Sequence, residues 1–190
     1  MQRLVVFNNV TLDGYFTGPN GDLSWAYHQD PEWDAFVSEN AQGGGTLLLG
    51  RVTYEMMVSY WPTPVAMESD PVLAERMNNL PKVVFSRTLD EPAWKNTRVV
   101  AGDIAAKVRR MKQEPGEGMT ILGSGTIVAQ LAQAGLIDEY QLVVHPVVLG
   151  EGRTMFEGVR ARLPLKLTGT RAFPNGNVLL SYEAAVHATM

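Results

Sequence analysis

The chain has 190 residues, of which 45% are apolar and 19% are charged, a balance that predicts one globular domain over residues 1–190. The formal net charge is −4 and Lys and Arg do not cluster, so the electrostatic signature of nucleic-acid binding is missing. The absence of cysteine excludes disulfides, thiolate catalysis and cysteine-ligated metals.

The N-terminal residues and the apolar runs favour a cytoplasmic protein. Residues 1–3 lead directly into an apolar segment, without the layout of a signal peptide. No stretch approaches the roughly 18 uninterrupted apolar residues of a membrane span. We therefore expect no association with membranes. We also expect no metal, because His and carboxylates do not occur at ligand spacing.

The first third of the chain predicts a strand, a loop and a helix. The continuous apolar run at residues 4–7 is typical of a strand buried on both faces. Residues 11–21 are dense in turn formers, and the glycines of residues 17–25 favour a mobile flap. Asp30 and Pro31 predict an N-cap and a first helical residue, and Gly43, Gly44 and Gly45 predict the end of that helix.

The middle of the chain alternates between strands and helices. A strand at residues 46–50 precedes a helix at residues 52–60, which Pro62 and Pro64 end. A helix from Asp70-Pro71 precedes a strand at residues 82–85. A short strand at residues 98–101 precedes a helix that Asp103 caps.

The last third predicts one more strand–helix unit and then a hairpin. A strand at residues 119–122 leads to a helix at residues 126–134, ended by Gly135. Residues 140–149 form a long apolar strand, in which Pro146 indicates an edge position or a bulge. An Asn-Gly pair between residues 165–173 and 178–183 predicts a hairpin.

This order predicts the α/β class. The sequence favours a three-layer α/β/α domain with about eight strands, mostly parallel, and an antiparallel C-terminal hairpin.

Three of the predicted strands end in the same kind of turn, at residues 46–55, 82–88 and 119–127. Each turn supplies glycine, hydroxyl or guanidinium groups, and ligands of open α/β sheets bind at such carboxyl edges. These donors suit a ligand with several phosphates, such as a dinucleotide. The trio Ser86, Arg87 and Thr88 suits a phosphate monoester like that on the ribose of NADP.

The turn Gly123-Ser124-Gly125 departs from the full dinucleotide-binding pattern. Val128 stands where that pattern has its third glycine, and the turn comes late in the chain, which argues against a standard Rossmann domain. Its two glycines still permit a pyrophosphate to approach closely, and Thr126 opens a helix whose N-terminus favours anions.

Several motifs resemble the cofactor segments of the dihydrofolate reductase superfamily: LLLGRVTYE (47–55), VFSRT (84–88) and ILGSG (121–125). Others are similar to the reductase domain of bifunctional riboflavin-biosynthesis proteins (RibD C-terminal-like): TLDGY (11–15), LIDE (136–139) and HPVVLGEG (145–152). The resemblance spans nearly the whole chain and implies a stand-alone reductase domain with a dihydrofolate reductase-like fold.

The resemblance implies NADPH as the cofactor and assigns residues to it. Gly50, Arg51 and Thr53 would hold phosphate oxygens, and Ser86, Arg87 and Thr88 would face the adenosine ribose and its 2′-phosphate. The turn and helix start would wrap the pyrophosphate and nicotinamide side through Gly123, Ser124, Gly125, Thr126 and Ile127. The backbone near Asn9 and Val10 would line the nicotinamide.

The candidate catalytic groups are Asp13 and Asp34. Asp34 matches, by its spacing from Gly50, the carboxylate with which dihydrofolate reductases hold the pterin, and it shares its helix start with Glu32. Asp13 belongs to the riboflavin-type segment and is expected to point into the substrate cleft. Trp25 is expected to close over the substrate ring, whereas His145 is expected to be structural.

The expected function is an NADPH-dependent reductase that transfers hydride to a C=N or C=O carbon of a small heterocycle. The resemblance favours a reaction similar to that of 5-amino-6-(5-phosphoribosylamino)uracil reductase of riboflavin biosynthesis. The alternatives are a dihydrofolate reductase proper and a non-catalytic NADPH-binding protein. A homodimer is expected from the resemblance and from the long apolar strands predicted near the sheet edge.

Overall fold

A central β-sheet organises the part of the chain that the computed structural model describes, which is residues 1–27, 30–41 and 44–185. The strands are β1 (Leu4–Thr11), β2 (Tyr15–Thr17), β3 (Thr46–Gly50), β4 (Lys82–Phe85), β5 (Thr97–Val100), β6 (Met119–Leu122), β7 (Glu139–His145), β8 (Arg153–Thr154), β9 (Leu165–Ala172) and β10 (Val178–Ala184). The helices are α1 (Pro31–Ala41), α2 (Arg51–Val58), α3 (Pro64–Ser69), α4 (Pro71–Asn79), α5 (Ile104–Gln113) and α6 (Gly125–Gln133).

Eight of the described strands form one sheet in the order β5-β4-β3-β6-β1-β7-β10-β9. The pairings from β5 to β7 are parallel, and β10 pairs antiparallel with both β7 and β9. The predicted α/β class and the mostly parallel sheet with its antiparallel C-terminal hairpin are therefore confirmed. A second, two-stranded sheet joins β2 to β8 and was not predicted, because strands of three and two residues are too short to show a periodicity.

Helices pack on both faces of the sheet, because successive residues of one strand are buried against different helices. Leu48 of β3 is buried in a core with α5 and α6, whereas its neighbours Leu47 and Leu49 are buried with Tyr54 of α2 and Met77 of α4. A third cluster lies on the face opposite α5 and α6. It joins Trp33 of α1 to Val143 of β7, Leu179 of β10 and Phe173 of the hairpin turn. The predicted three-layer arrangement is confirmed.

Capping carboxylates fix three helix starts where the sequence predicts them. Asp30, Asp70 and Asp103 each accept a hydrogen bond from the backbone N–H three residues later, at 2.9, 2.9 and 3.0 Å. The end of the first helix was predicted at Gly43, Gly44 and Gly45; α1 ends at Ala41, and Gly43 lies outside the described residues.

The predictions about proline have different outcomes. The helix α2 ends at Val58, before Pro62 and Pro64, as predicted, but Pro64 also begins α3, which was not predicted and which Thr63 caps by accepting Ala66 N–H at 3.4 Å. The strand predicted at residues 140–149 ends at His145, because Pro146 has no N–H for the ladder. This strand, β7, lies inside the sheet between β1 and β10, and β9 is the edge strand at this end of the sheet.

The motif LIDE (136–139) has a structural role. The Asp138 carboxylate accepts the backbone N–H of Leu4 at 2.7 Å and pairs with the buried Lys112 of α5. Lys112 also donates to the Leu136 carbonyl at 2.9 Å. These bonds fix the start of β7 against β1 and α5.

Within the described ranges, no helix is long and apolar enough to cross a bilayer. No group of three or more His, Asp or Glu side chains in those ranges is placed to hold a metal ion.

Candidate functional site

A cavity of about 1000 Å³ opens at the carboxyl edge of β1, β3 and β6 and continues along the sheet face between α1 and the helices α2 and α4. We call its part at the carboxyl edge the outer cleft; it is lined by Phe16, Thr17, residues 50–53, residues 123–127 and Arg153. We call the rest the inner groove; it is lined by Val5, Phe7, Leu47, Thr120, Leu122 and Gln141, and it ends at Arg3, Glu117 and Glu139. Asn9 of β1 lies where the two parts meet.

The turn after β6 is held in a left-handed backbone conformation. Gly123 and Ser124 have φ angles of +55° and +57°. The Asn8 side chain fixes the turn from β1, because its amide oxygen accepts Gly123 N–H and its NH₂ donates to the Gly123 carbonyl at 2.9 Å. A Cβ on Gly123 would lie 3.0 Å from the Thr53 side chain, so glycine allows the two turns to touch.

The turns after β3 and β6 are joined by hydrogen bonds centred on Ser124. Ser124 Oγ accepts Gly50 N–H at 2.9 Å, and Thr53 Oγ1 accepts Ser124 N–H at 3.1 Å. The two hydroxyl oxygens lie 3.1 Å apart. Thr53 and Ser124 were predicted to bind a ligand directly. In the structure their hydroxyls are hydrogen-bonded to each other, and the two turns form one wall of the outer cleft.

The N-terminus of α6 opens onto the outer cleft without a side-chain cap. Ser124 occupies the N-cap position but makes no capping bond through its hydroxyl. The first helical residues, Gly125 and Thr126, line the cavity, where the helix dipole favours an anion. A Cβ on Gly125 would lie 2.7 Å from the Phe16 ring, so glycine here lets Phe16 pack over the helix start.

Two arginines flank this helix start. Arg51 binds Glu55 at 2.7 Å, and Arg153 lies 3.5 Å from Thr126 Oγ1, 3.8 Å from Glu157 and 5.9 Å from the Phe16 ring centre. Because these ion pairs are exposed, they are weak, and both guanidinium groups are available to an anion. Sequence reasoning placed Arg51 here but missed Arg153, Phe16 and Asn8.

The third predicted turn follows β4 at the same sheet edge but does not line the cavity. Ser86 Oγ accepts the N–H groups of Thr88 and Leu89 at 3.1 and 3.0 Å and thus closes a local turn. Arg87 is exposed and makes no ion pair or hydrogen bond with any residue that the structure describes. Phe85, at the end of β4, is the residue of this segment that lines the cavity.

At the junction of cleft and groove, Asn9 is bound to a buried histidine. Asn9 Oδ1 lies 2.9 Å from His145 Nε2. His145 is fully buried, with the Trp25 ring at 5.3 Å and the Trp33 ring at 6.2 Å, both edge-on. Val10, predicted with Asn9 to line the cofactor, instead packs into the core with α5 and α6 and does not line the cavity.

Asp13 does not point into the cleft, and that prediction is wrong. Its carboxylate accepts Thr11 Oγ1–H at 2.6 Å, Gly150 N–H at 2.8 Å and Leu149 N–H at 3.2 Å. These hydrogen bonds, that from Thr11 first, lower the pKa of Asp13 below its usual value. Asp13 therefore ties the turn after β1 to the loop after β7.

The other predicted substrate residues also lie away from the cavity. Asp34 is exposed in the first turn of α1 and does not line the cavity, and its neighbour Glu32 binds Arg171 at 3.0 Å. Trp25 is buried, donates to the Asp22 carbonyl at 3.1 Å and packs on His145. From residues 17–25, predicted as a flap, Thr17, Asn20, Gly21 and Leu23 line the cavity instead.

Comparison with known proteins identifies relatives over most of the chain. The family model described as RibD C-terminal domain matches residues 2–179. The uncharacterized protein YyaP of Bacillus subtilis (strain 168) is 32% identical over 183 residues, which cover 96% of this chain and 95% of the relative. A second uncharacterized protein of that organism, YwjB, is 29% identical over 172 residues, which cover 90% of this chain and 92% of the relative.

Solved structures share the fold. A putative riboflavin biosynthesis protein from Shewanella sp. PV-4 superposes with a TM-score of 0.71 at 20% identity, covering 98% of this chain and 100% of that one. A diaminohydroxyphosphoribosylaminopyrimidine deaminase/5-amino-6-(5-phosphoribosylamino)uracil reductase from Thermotoga maritima gives 0.70 at 15% identity, with 97% and 57% coverage. Dihydrofolate reductase from Enterococcus faecalis, complexed with NADP(H), gives 0.65 at 18% identity, with 97% of each chain covered.

Proposed function

The chain belongs to the RibD C-terminal domain family, and from that premise we propose that it is an NADPH-dependent reductase that transfers hydride to a C=N or C=O carbon of a small heterocycle. The observation that carries this proposal is the outer cleft. There the turns after β3 and β6 interlock beside the uncapped start of α6, between Arg51 and Arg153.

These residues fit a dinucleotide. The α6 N–H groups and two guanidinium groups offer hydrogen-bond donors to a pyrophosphate, and the glycines at 123 and 125 add no side chain of their own beside Thr53 and Phe16. Beyond α6, Phe85, Ile104 and Gln130 continue the lining and offer a surface to the adenosine half.

The preference for NADPH over NADH is assigned to Arg87. Its guanidinium is exposed at the carboxyl end of β4, which pairs with β3 and its phosphate-side turn. A 2′-phosphate on a ribose bound at this edge would give Arg87 the partner that it lacks among the described residues.

When bound, NADPH supplies the hydride, and the chain's own residues position the acceptor. The amide oxygen of Asn9 can only accept, so His145 Nε2 carries the proton between them and the Asn9 NH₂ is free to donate. We assign that NH₂ to the heteroatom of the reduced C=N or C=O bond, where negative charge develops. Holding the two carbons roughly 3–3.5 Å apart provides much of the rate.

The proton for that heteroatom is assigned to water in the groove. The predicted acids, Asp13 and Asp34, do not line the cavity. The carboxylates that do line it within the described residues, Glu117 and Glu139, lie at its far end from Asn9.

Titration with NADPH and NADH, followed by assay of NADPH oxidation with a panel of heterocycles, tests the proposal. NADPH is expected to bind at least tenfold more tightly than NADH, and Arg87→Ala is expected to remove that preference. Arg98→Ala, an exposed arginine on β5, is the control and is expected to leave it intact. Equal, weak binding of both nucleotides would contradict the proposal.

The two alternatives give different results in the same assays. A dihydrofolate reductase proper needs a carboxylate in the pterin site, so Asp34→Asn would abolish activity; because Asp34 is exposed outside the cavity, we expect no effect. A non-catalytic NADPH-binding protein would bind NADPH but oxidise it with no heterocycle offered.

We also propose a homodimer formed through the C-terminal hairpin. The edge strand β9 is paired on one side only, by β10, and Leu167 on β9 is 50% exposed. An unpaired strand edge favours association with a second strand, and a second copy of the chain supplies one.

A further inference from the structure

We propose that the inner groove selects a heterocycle without anionic groups and discriminates against phosphorylated or carboxylated ones. The inference rests on the proposed reductase function and narrows its substrate class. It is carried by the distribution of charge along the cavity.

All 16 Lys and Arg residues of the chain lie within the described ranges. Three of them line the cavity: Arg3, Arg51 and Arg153. Arg51 and Arg153 flank the start of α6 in the outer cleft, where they face the proposed pyrophosphate. The inner groove is therefore left with Arg3.

Carboxylates outnumber Arg3 at the end of the inner groove. The Arg3 guanidinium binds Glu139 at 3.1 Å and Glu183 at 3.0 Å. Glu139 itself lines the groove, as does Glu117. The end of the inner groove thus carries at least as much negative as positive charge, and an anionic substrate group entering it meets repulsion.

The walls of the inner groove are apolar or neutral. Val5, Phe7, Leu47 and Leu122 present hydrocarbon, and Thr120 and Gln141 present neutral polar groups. An anion buried there loses its hydration without gaining a cation, which is unfavourable. An uncharged ring buries apolar surface on these side chains and keeps the Asn9 amide as its hydrogen-bond donor.

Two compounds illustrate the kind of anionic substrate that the inner groove disfavours. 5-Amino-6-(5-phosphoribosylamino)uracil, in the name of the Thermotoga maritima protein, carries a phosphate, and dihydrofolate carries a glutamate with two carboxylates. Each demands a cation that the inner groove does not offer. The substrate of this chain is therefore an uncharged heterocycle of comparable ring size.

Two matched pairs of probes test the inference on the full chain saturated with NADPH. One pair is the phosphoribosylaminouracil and its dephosphorylated form; the other is dihydrofolate and 6-methyl-7,8-dihydropterin, which lacks the glutamate tail. Binding is measured by quenching of tryptophan fluorescence, and turnover by NADPH oxidation. In each pair the uncharged member is expected to bind, or to be reduced, at least tenfold better.

A charge variant gives an independent readout. Glu117→Gln removes one negative charge from the end of the groove and is expected to improve binding of the anionic probes about two- to threefold relative to the uncharged probes. Glu114→Gln, in the same loop but outside the cavity, is the control and is expected to change neither.

The outcomes separate this inference from the proposed function. If an anionic probe is preferred in either pair, or if neither uncharged probe saturates the protein at millimolar concentration, the inference is overturned while NADPH binding stands. If NADPH itself fails to bind, the proposed function fails. In that case, binding of the same four probes to the free protein tests the charge inference. The uncharged member of each pair must still bind at least tenfold better.

Discussion

His145 is the residue on which the orientation of the proposed substrate donor depends. It lies fully buried between Trp25 and Trp33, and its Nε2–H holds the amide oxygen of Asn9. A phenylalanine at this position keeps the ring packing and removes the hydrogen bond. The Asn9 amide is then free to rotate.

We predict that His145→Phe lowers kcat about tenfold, the equivalent of one oriented hydrogen bond, and leaves the KM for NADPH unchanged. His145→Gln, whose amide can still donate, is expected to recover part of the loss. Asn9→Ala is expected to cost as much as His145→Phe, and the double variant no more than either, because the pair acts as a unit. Steady-state kinetics decide this; independent, additive losses would refute the coupling.

Lys82 is the buried residue with the clearest pH signature. Its Nζ donates to the carbonyls of Leu80 at 2.8 Å and Asn78 at 3.2 Å and lies 4.2 Å from the Trp94 ring centre. Burial is the main cause that lowers the pKa of Lys82 to about 8 from its usual 10.5. Between those two values the unfolded chain keeps the proton and the folded chain has lost it.

The free energy of unfolding is therefore predicted to rise as pH increases from about 8 to about 10, with an upper bound of roughly 3 kcal/mol from this group. Urea denaturation across that range measures the rise, and Lys82→Met is expected to flatten it. A wild-type profile as flat as that of Lys82→Met would contradict the assignment. Above pH 10 the opposite trend of Tyr140 begins, since burial raises its pKa to about 12.

At the residue scale, the sequence predicted those site residues that lie in a recognisable local pattern. Gly123, Ser124 and Arg51 stand at turns after apolar strands, and the structure brings them to one cleft. Arg153 follows a glycine-rich loop and reaches the site only through the short pairing of β8 with β2, which no local pattern indicates. Asp13 was misassigned because its turn chemistry looks the same whether the carboxylate faces a ligand or a backbone.

Among the elements, the joint between the turns after β3 and β6 is the structural basis of the outer cleft. Ser124 is the residue that both turns share, because its hydroxyl accepts Gly50 N–H and its own N–H donates to Thr53. Removing the hydroxyl leaves the Gly50 N–H without this acceptor at a largely buried position.

Ser124→Ala is predicted to lower the free energy of unfolding by about 1–3 kcal/mol and to weaken NADPH binding. Ser59→Ala, at the exposed end of α2, is the control and is expected to change neither quantity. Chemical denaturation and NADPH titration of both variants provide the measurement. An unchanged NADPH affinity in Ser124→Ala would show that the hydrogen bonds between the two turns do not contribute to cofactor binding.

The elements themselves were largely predictable, for identifiable physical reasons. Asp-Pro at residues 30–31 and 70–71 combines a cap with a fixed φ, and both helices begin there. The position of β7 in the sheet was not predictable, because Pro146 marks the end of a strand as readily as an edge. Strand order depends on contacts far apart in sequence, which a local pattern does not encode.

For the whole molecule, the exposed edge of β9 makes the oligomeric state a test of the proposed dimer. Leu167→Glu places a charge on that edge and is predicted to shift the protein from dimer to monomer. Lys166→Gln, at the preceding residue on the same strand, changes the net charge by the same single unit and is the control, expected to leave the dimer intact. Light scattering coupled to gel filtration measures the mass; a wild-type monomer at about 100 μM would contradict the proposal.

The interlocked turns of the molecule are proposed to bind the pyrophosphate of NADPH at the start of α6. Calorimetric titration of NADPH into Arg153→Glu, with the exposed Arg162→Glu as the matched charge control, tests this most directly. Because a lost charge-assisted hydrogen bond is worth about 1.5–3 kcal/mol, Arg153→Glu is predicted to weaken binding at least tenfold while Arg162→Glu binds like the wild type. Equal affinities in the two variants would contradict the account.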